Sequence, residues 1–136
     1  MIRHFEQISG TEYYLPAIEA WCETQRRGHG ENGRSLSISW DDRVSVTIGS
    51  DGILQSLIVW KYLKWAMTAY ITQGWTAPAF RRMGLYSALY RSVKKEAKKL
   101  GAKIIDGGIS PANKSMLNAA KKQGRTIGAI WMKENL

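Results

Sequence analysis

The stretch that most restricts what this chain can become is Thr76 to Leu89, TAPAFRRMGLYSAL. A β-like run ends near Trp75 and Pro78 closes it. A helix follows, in which Leu85, Leu89, Val93, Ala97 and Leu100 recur on one face at helical spacing. Between strand and helix lie Arg81, Arg82 and Gly84. Two cations and a residue without a side chain therefore sit where the first N–H groups of a helix have no partners of their own and its dipole is positive. Such a corner suits a phosphate. On spacing alone the competing reading is an arginine-rich turn that holds nothing, since many α/β chains open a helix this way.

A chain of 136 residues has room for one core, so residues 1–136 are read as a single domain. Ile2 to Ile8 alternates weakly and predicts a first strand ended by Ser9-Gly10; Pro16 suits the first turn of a helix running to about Arg27. Gly28 to Gly33 holds three glycines in six residues and predicts a loop, either a mobile substrate loop or a solvated connection, with His29 and Glu31 its only acid–base side chains. Ser35–Trp40 and Val44–Ile48 alternate about Asp41-Asp42, which predicts a hairpin; Ile53–Tyr62 and Trp65–Trp75 predict two more strands. Trp60, Tyr62, Trp65, Tyr70 and Trp75 either fill a core or offer stacking surfaces, and alternation on strands favours the core. Beyond the basic helix, Gly101 is a helix stop and Ala102 to Ser110 reads as a strand. Asn113 then caps a helix from Lys114 to Gln123 that Gly124 ends, and Thr126–Lys133 supplies a last strand.

The formal charge is +9, and much of it falls in 81–103 and 114–125. One polyanionic ligand does not require so large an excess, so the remainder either attracts nucleic acid or an acidic partner or is a plain solvated face. Lys94, Lys95, Lys98 and Lys99 lie outward on the amphipathic helix, which favours the solvated face. Cys22 is the only cysteine, which excludes an internal disulfide and any multi-cysteine zinc site; no metal is expected. It reads as a small buried residue rather than a nucleophile. No apolar run has the length of a membrane span and the first residues do not look like a secretory signal, so a soluble, cytoplasmic protein without a membrane partner is expected.

The segment after Trp75 resembles the acetyl-CoA-binding motif of the GCN5-related N-acetyltransferase (GNAT) family, V-x-P-x-Y-R-x-x-G-x-G/A between a strand and a long helix. Thr76, Pro78, Phe80, Arg81 and Gly84 fall at corresponding spacings, and Asn113, after the next strand, matches the family's asparagine that helps hold the pantetheine arm. The two elements cover roughly the C-terminal half of the chain. Tyr86 departs from the pattern, which has Gly or Ala there. The resemblance implies an α/β fold with a mixed, mostly antiparallel sheet flanked by helices. One strand rather than two at the end implies a shortened C-terminal edge that invites a homodimer. It also implies acetyl-CoA as cofactor, bound by Thr76, Arg81, Arg82, Met83, Gly84, Leu85, Tyr86, Ser87 and Asn113.

Transfer of an acetyl group to an amine of unidentified acceptor would follow from that resemblance. The reaction needs a base for the amine, a donor to the oxyanion and a proton for the departing thiolate. Backbone N–H groups near Gly74 to Thr76, where the family's strand is bulged, would serve the oxyanion. The family's usual tyrosine lies seven residues after the asparagine, where this chain has Ala120, and no carboxylate lies on Trp65–Trp75. Tyr86 is then the candidate acid, and Asp106 and Glu31, with His29, the candidate bases. The same gaps define an alternative: a catalytically degenerate domain of this fold that binds nucleic acid or a regulatory protein.

Overall fold

The computed structural model describes residues 1–27 and 38–128, together with residues 132, 134 and 136. Strands β1 (Ile2–Phe5), β2 (Arg43–Ile48), β3 (Leu54–Leu63), β4 (Thr68–Thr76) and β5 (Ile104–Gly107) form one sheet in sequence order. The first four are antiparallel neighbours, and β5 joins β4 in parallel after crossing through helix α2 (Leu85–Lys99). Helix α1 (Tyr14–Arg26) precedes β2, and α3 (Lys114–Lys122) follows β5. This is the α/β architecture, with a mostly antiparallel sheet, that the sequence predicts.

Both faces of the sheet are covered, which is why β2 is buried along nearly its whole length. On one face Val44, Val46, Leu57 and Val59 pack with Ile8, Tyr13 and Ala17 at the α1 side. On the other, Leu89, Tyr90, Val93 and Ala97 of α2 pack on Ile58, Trp60, Ala69 and Ile71. These four helix positions are spaced i, i+1, i+4 and i+8, the stripe an amphipathic helix must bury. Covering each large one contributes about 1.5–3 kcal/mol. Trp60 is core, as the strand alternation predicts, whereas Trp40 and Trp65 are exposed.

One predicted pairing is corrected. Ile38 to Asp42 is a turn closed by the Asp42 N–H to Ser39 oxygen and by the Ser39 N–H to Asp42 Oδ2, not the arm of a hairpin with 44–48. The partner of β2 on that side is β1, in the register Ile2↔Thr47 to Phe5↔Val44. Alternation reports which side chains share a face and says nothing about which distant strand completes the ladder. Residues 35–37, most of the predicted last strand, and the 28–33 loop with His29 and Glu31 lie outside the described residues; 126–128 are not strand.

What positions the site is the length of β5. Its four residues pair with only the first part of β4, from Thr68↔Ile104 to Ile71↔Gly107. Past that point Thr72 to Thr76 continue against β3 and, among the described residues, against no other strand. A bulge marks the parting, because Val59 pairs with Gln73 and Trp60 with Ile71, so that Thr72 is an extra residue. The bulge returns Gln73 to the α1 face and Gly74 to the α2 face.

Candidate active site

The turn into α2 carries amides that bond to no described residue. From Arg82 to Ser87 no backbone N–H donates to a described residue; the Ala88 N–H is the first to do so, reaching the Gly84 carbonyl at 3.1 Å. The cap position itself is Gly84, which has no side chain to accept from them. Gly84 has φ +75° and Arg82 φ +64°. The left-handed conformation is free for glycine, but for Arg82 it costs about 1–3 kcal/mol. A Cβ built on Gly84 would meet no atom within 4 Å, so conformation rather than crowding demands glycine, and the space beside it is open. Successive free amides at a helix start form an anion-binding concavity.

The two arginines do different things. Arg81 turns back: its Nε donates to the Thr76 carbonyl at 2.9 Å and its Nη2 to Glu23 Oε1 of α1 at 2.7 Å. Glu23 also accepts from the Trp75 indole and lies near Arg27. Burial pushes the Glu23 carboxyl up, but the Trp75 and Arg81 hydrogen bonds, with the charges of Arg81 and Arg27, hold it below the usual carboxylate range. Arg81 thereby fastens the turn to α1. Arg82 is exposed and has no ion pair with a described carboxylate, so it is the cation left at the amides.

Tyr86 lies with its ring on the sheet rather than over the amides. A Cβ at Gly74 would come within 2.7 Å of the Tyr86 ring and hydroxyl, so a large residue on the helix is matched by a missing side chain on β4. Burial pushes its hydroxyl up to about 12; the Arg125 charge opposes this and Tyr90 adds to it. A donor that weak gives its proton uphill to a thiolate of ordinary pKa near 8.5. Asp106 stands on β5 opposite Tyr70, exposed, with Oδ1 accepting the Gly107 N–H at 2.7 Å. Its neighbour Ile105 packs toward α2, so Asp106 points to the other face. Asn113 caps α3, its Oδ1 accepting from the Met116 N–H at 3.2 Å. The bulge sits at Thr72, ahead of the Gly74–Thr76 segment where it was expected.

An open helix start beside two parting parallel strands, β4 and β5, with β4 bulged against β3 where they part, can seat an extended ligand with a phosphate at one end. The model of the acetyltransferase (GNAT) family matches residues 9–125. The chain belongs to the GNAT family. No curated protein matches the sequence. Among solved structures, a putative acetyl transferase from Pyrococcus furiosus superposes with TM-score 0.74 at 17% identity over 100% of both chains. An aminoglycoside acetyltransferase from an uncultured soil metagenomic sample, solved with trehalose, gives 0.73 at 10% identity, covering 100% of this chain and 95% of that one. The N-acetylglutamate synthase from Neisseria gonorrhoeae, complexed with coenzyme A and N-acetyl-glutamate, gives 0.65 at 13% identity over 87% of this chain and 27% of that one. At these identities the likeness is one of fold. Among the described residues of this GNAT chain no group of three or more His, Cys, Asp or Glu could hold a metal ion, and no helix is long and apolar enough to cross a membrane.

Two residues beside this candidate site were not legible as such in the sequence. Glu23 reads as one acid among several on α1, and only the fold brings it 58 positions along the sequence to Arg81. Arg125 reads as the tail of a basic run, and only the fold sets it beside Tyr90 and Gly107.

Proposed function

We propose that this protein is an acetyl-CoA-dependent N-acetyltransferase that moves an acetyl group directly to an amine. The observation that carries the reading is the row of unpartnered amides from Arg82 to Ser87, next to the point where β4 parts from β5. Those amides and Arg82 would hold the diphosphate, and Gly84 leaves the approach open. The peptide groups of Thr72 to Thr76 that β5 leaves unpaired would hold the arm and polarise the thioester carbonyl. Bound acetyl-CoA would supply the thioester. Arg81 and Glu23 keep the turn against α1, and Asn113 presents its remaining amide NH2 from the start of α3. Tyr86 serves packing on Gly74 better than proton donation, and Asp106, turned to the face away from α2, is the carboxylate left among the candidate bases that the described residues include.

Calorimetry with acetyl-CoA tests the reading. Folded wild type is expected to bind it, and Arg82→Ala to bind it at least about fivefold more weakly, as the loss of a charge-assisted contact implies. Absence of binding by a folded sample would end the proposal. A second reading, a nucleic-acid-binding domain, is favoured by one observation: Arg91, Lys94, Lys95 and Lys98 form an exposed i, i+3, i+4, i+7 stripe on α2, without ion pairs to described carboxylates. Binding to RNA or DNA that weakens steeply with salt, in a protein indifferent to acetyl-CoA, would make it the better account.

A further inference from the structure

Among the described residues, Tyr86 is a poor acid for a departing thiolate, and the structure places a cation beside the parted strands. Helix α3 ends in a left-handed glycine: Gly124 has φ +80°, its N–H reaches the Lys121 carbonyl, and the Arg125 N–H reaches the Ala120 carbonyl at 3.0 Å. That pair of bonds fixes the backbone of Arg125. Its guanidinium then lies 5.4 Å from the ring centroid of Tyr90 on α2. Its Nη2 lies 3.5 Å from where a Cβ of Gly107 would be, an ordinary contact distance that sets the guanidinium against the end of β5. Gly107 is opposite Ile71 in the last rung before β4 and β5 separate. Arg125 is thus a half-buried cation at the vertex of the opening. No described carboxylate pairs with it, and neither the Tyr86 nor the Tyr90 hydroxyl hydrogen-bonds to a described residue.

We infer that Arg125 is a catalytic residue that stabilises the coenzyme A thiolate as an anion, in place of an acid that would protonate it. The inference rests on the acetyl-CoA reading above. An attacking amine forms the new carbon–nitrogen bond and displaces sulfur with the electron pair of the broken carbon–sulfur bond; the amine's surplus proton passes to water. Arg125 has no proton to give, because a guanidinium stays charged. What it offers is a fixed positive charge in a partly desolvated corner, where an opposite charge favours the ionised form of a thiol by one to three pKa units. Tyr90 holds the guanidinium in place through its ring face. Water then protonates the thiolate after it leaves.

The test is binding of free coenzyme A, which needs no acceptor and no turnover. In wild type, affinity should rise between about pH 6.5 and pH 8.5 by roughly tenfold for each unit by which the bound thiol is lowered. Ultraviolet absorbance of the thiolate should appear in the complex below the pH at which free coenzyme A shows it. Acetyl-CoA, whose sulfur cannot ionise, should show no such rise. Arg125→Gln should flatten the coenzyme A profile while changing acetyl-CoA affinity less than about threefold, and Arg125→Lys should restore part of the slope. A wild-type thiol that ionises at its ordinary pH, or an Arg125→Gln profile superposing on wild type, would overturn the inference while leaving the acetyltransferase reading intact. If folded wild type binds neither nucleotide, that reading falls and this one with it.

Discussion

Two helix starts in this molecule solve the same problem in opposite ways. At α3 one first-turn amide is met by a side-chain cap and the amides leading into it by Ser110: Asn113 accepts from Met116, and Ser110 accepts from both Ala112 and Asn113. At α2 no described residue accepts from the N–H groups of Arg82 through Ser87, the cap is a glycine, and Arg82 two residues before it is held in a left-handed conformation. A side-chain cap is worth about 1 kcal/mol, and the strain at Arg82 adds to what is forgone. Folding alone would favour the α3 solution at both ends. An uncapped start anchored by Leu89, Tyr90 and Val93 and tied to α1 through Arg81–Glu23 is the arrangement on which the acetyl-CoA proposal rests.

The contrast breaks hardest at Gly84. Gly84→Glu puts a carboxylate among the free amides and a Cβ on a φ of +75°, so acetyl-CoA affinity should fall at least about a hundredfold, several charge-assisted bonds being lost together. Titration calorimetry measures this, and near-wild-type affinity would mean that the open start is not the ligand's seat. Next in size is Gly74→Ala, whose Cβ would lie 2.7 Å from the Tyr86 ring. Overpacking of this kind costs about 1–3 kcal/mol in chemical denaturation. The same change in a Tyr86→Ala background should cost clearly less, since the clash is then absent. Equal costs in both backgrounds would show that the ring and the glycine are not matched.

How much of this was legible follows from what kind of information each feature needs. The amphipathic stripe of α2, the glycine stops at Gly101 and Gly124 and the Asn113 cap are written locally and stand where periodicity and capping rules put them, except that Leu100, read as part of the stripe, is the exposed cap of the helix. The pairing of β1 with β2 is not local, and alternation near Trp40 suggested a hairpin that the chain does not make. Arg81 and Arg82 are adjacent and alike in sequence, yet one is taken by a carboxylate from α1. The tyrosine at the position the family gives to a small residue reads as an obstruction until Gly74 is seen beneath it. The bulge at Thr72 depends on register, which no single strand's composition sets.

A smaller effect sharpens the comparison from the α3 side. Asn113→Ala should lower stability by about 1 kcal/mol, since the Met116 N–H loses its acceptor. Acetyl-CoA affinity should fall less than it does for Gly84→Glu. A stability loss too small to resolve, with a large loss of affinity, would move Asn113 from capping to ligand binding and erase the distinction between the two starts.

The smallest effect concerns how α2 is held to the sheet while its start stays open. His4 of β1 bridges Ser45 of β2 at 2.6 Å through Nδ1 and Ser92 of α2 at 2.8 Å through Nε2, and Ser45 also accepts from the Trp60 indole at 3.1 Å. A neutral imidazole donates through one nitrogen and accepts through the other. A protonated ring must donate through both, and whichever serine hydroxyl gave its hydrogen to the neutral ring then loses that acceptor. Burial lowers the His4 pKa from its ordinary 6.5; Glu96 opposes this and Lys99 reinforces it. The folded state therefore favours the neutral ring, and the stabilisation is fully present above pH 6.5 and is lost as pH falls through the lowered value. Glu23 and Glu96 do not confuse the window, because both carboxyls are held below the ordinary 4.5 and withdraw their contribution only at lower pH. Melting temperature should thus decline modestly from pH 7.5 to pH 5, and His4→Gln, unable to titrate, should flatten that decline. A decline of unchanged slope in His4→Gln would place the titrating group elsewhere and leave α2 tethered by its apolar stripe alone.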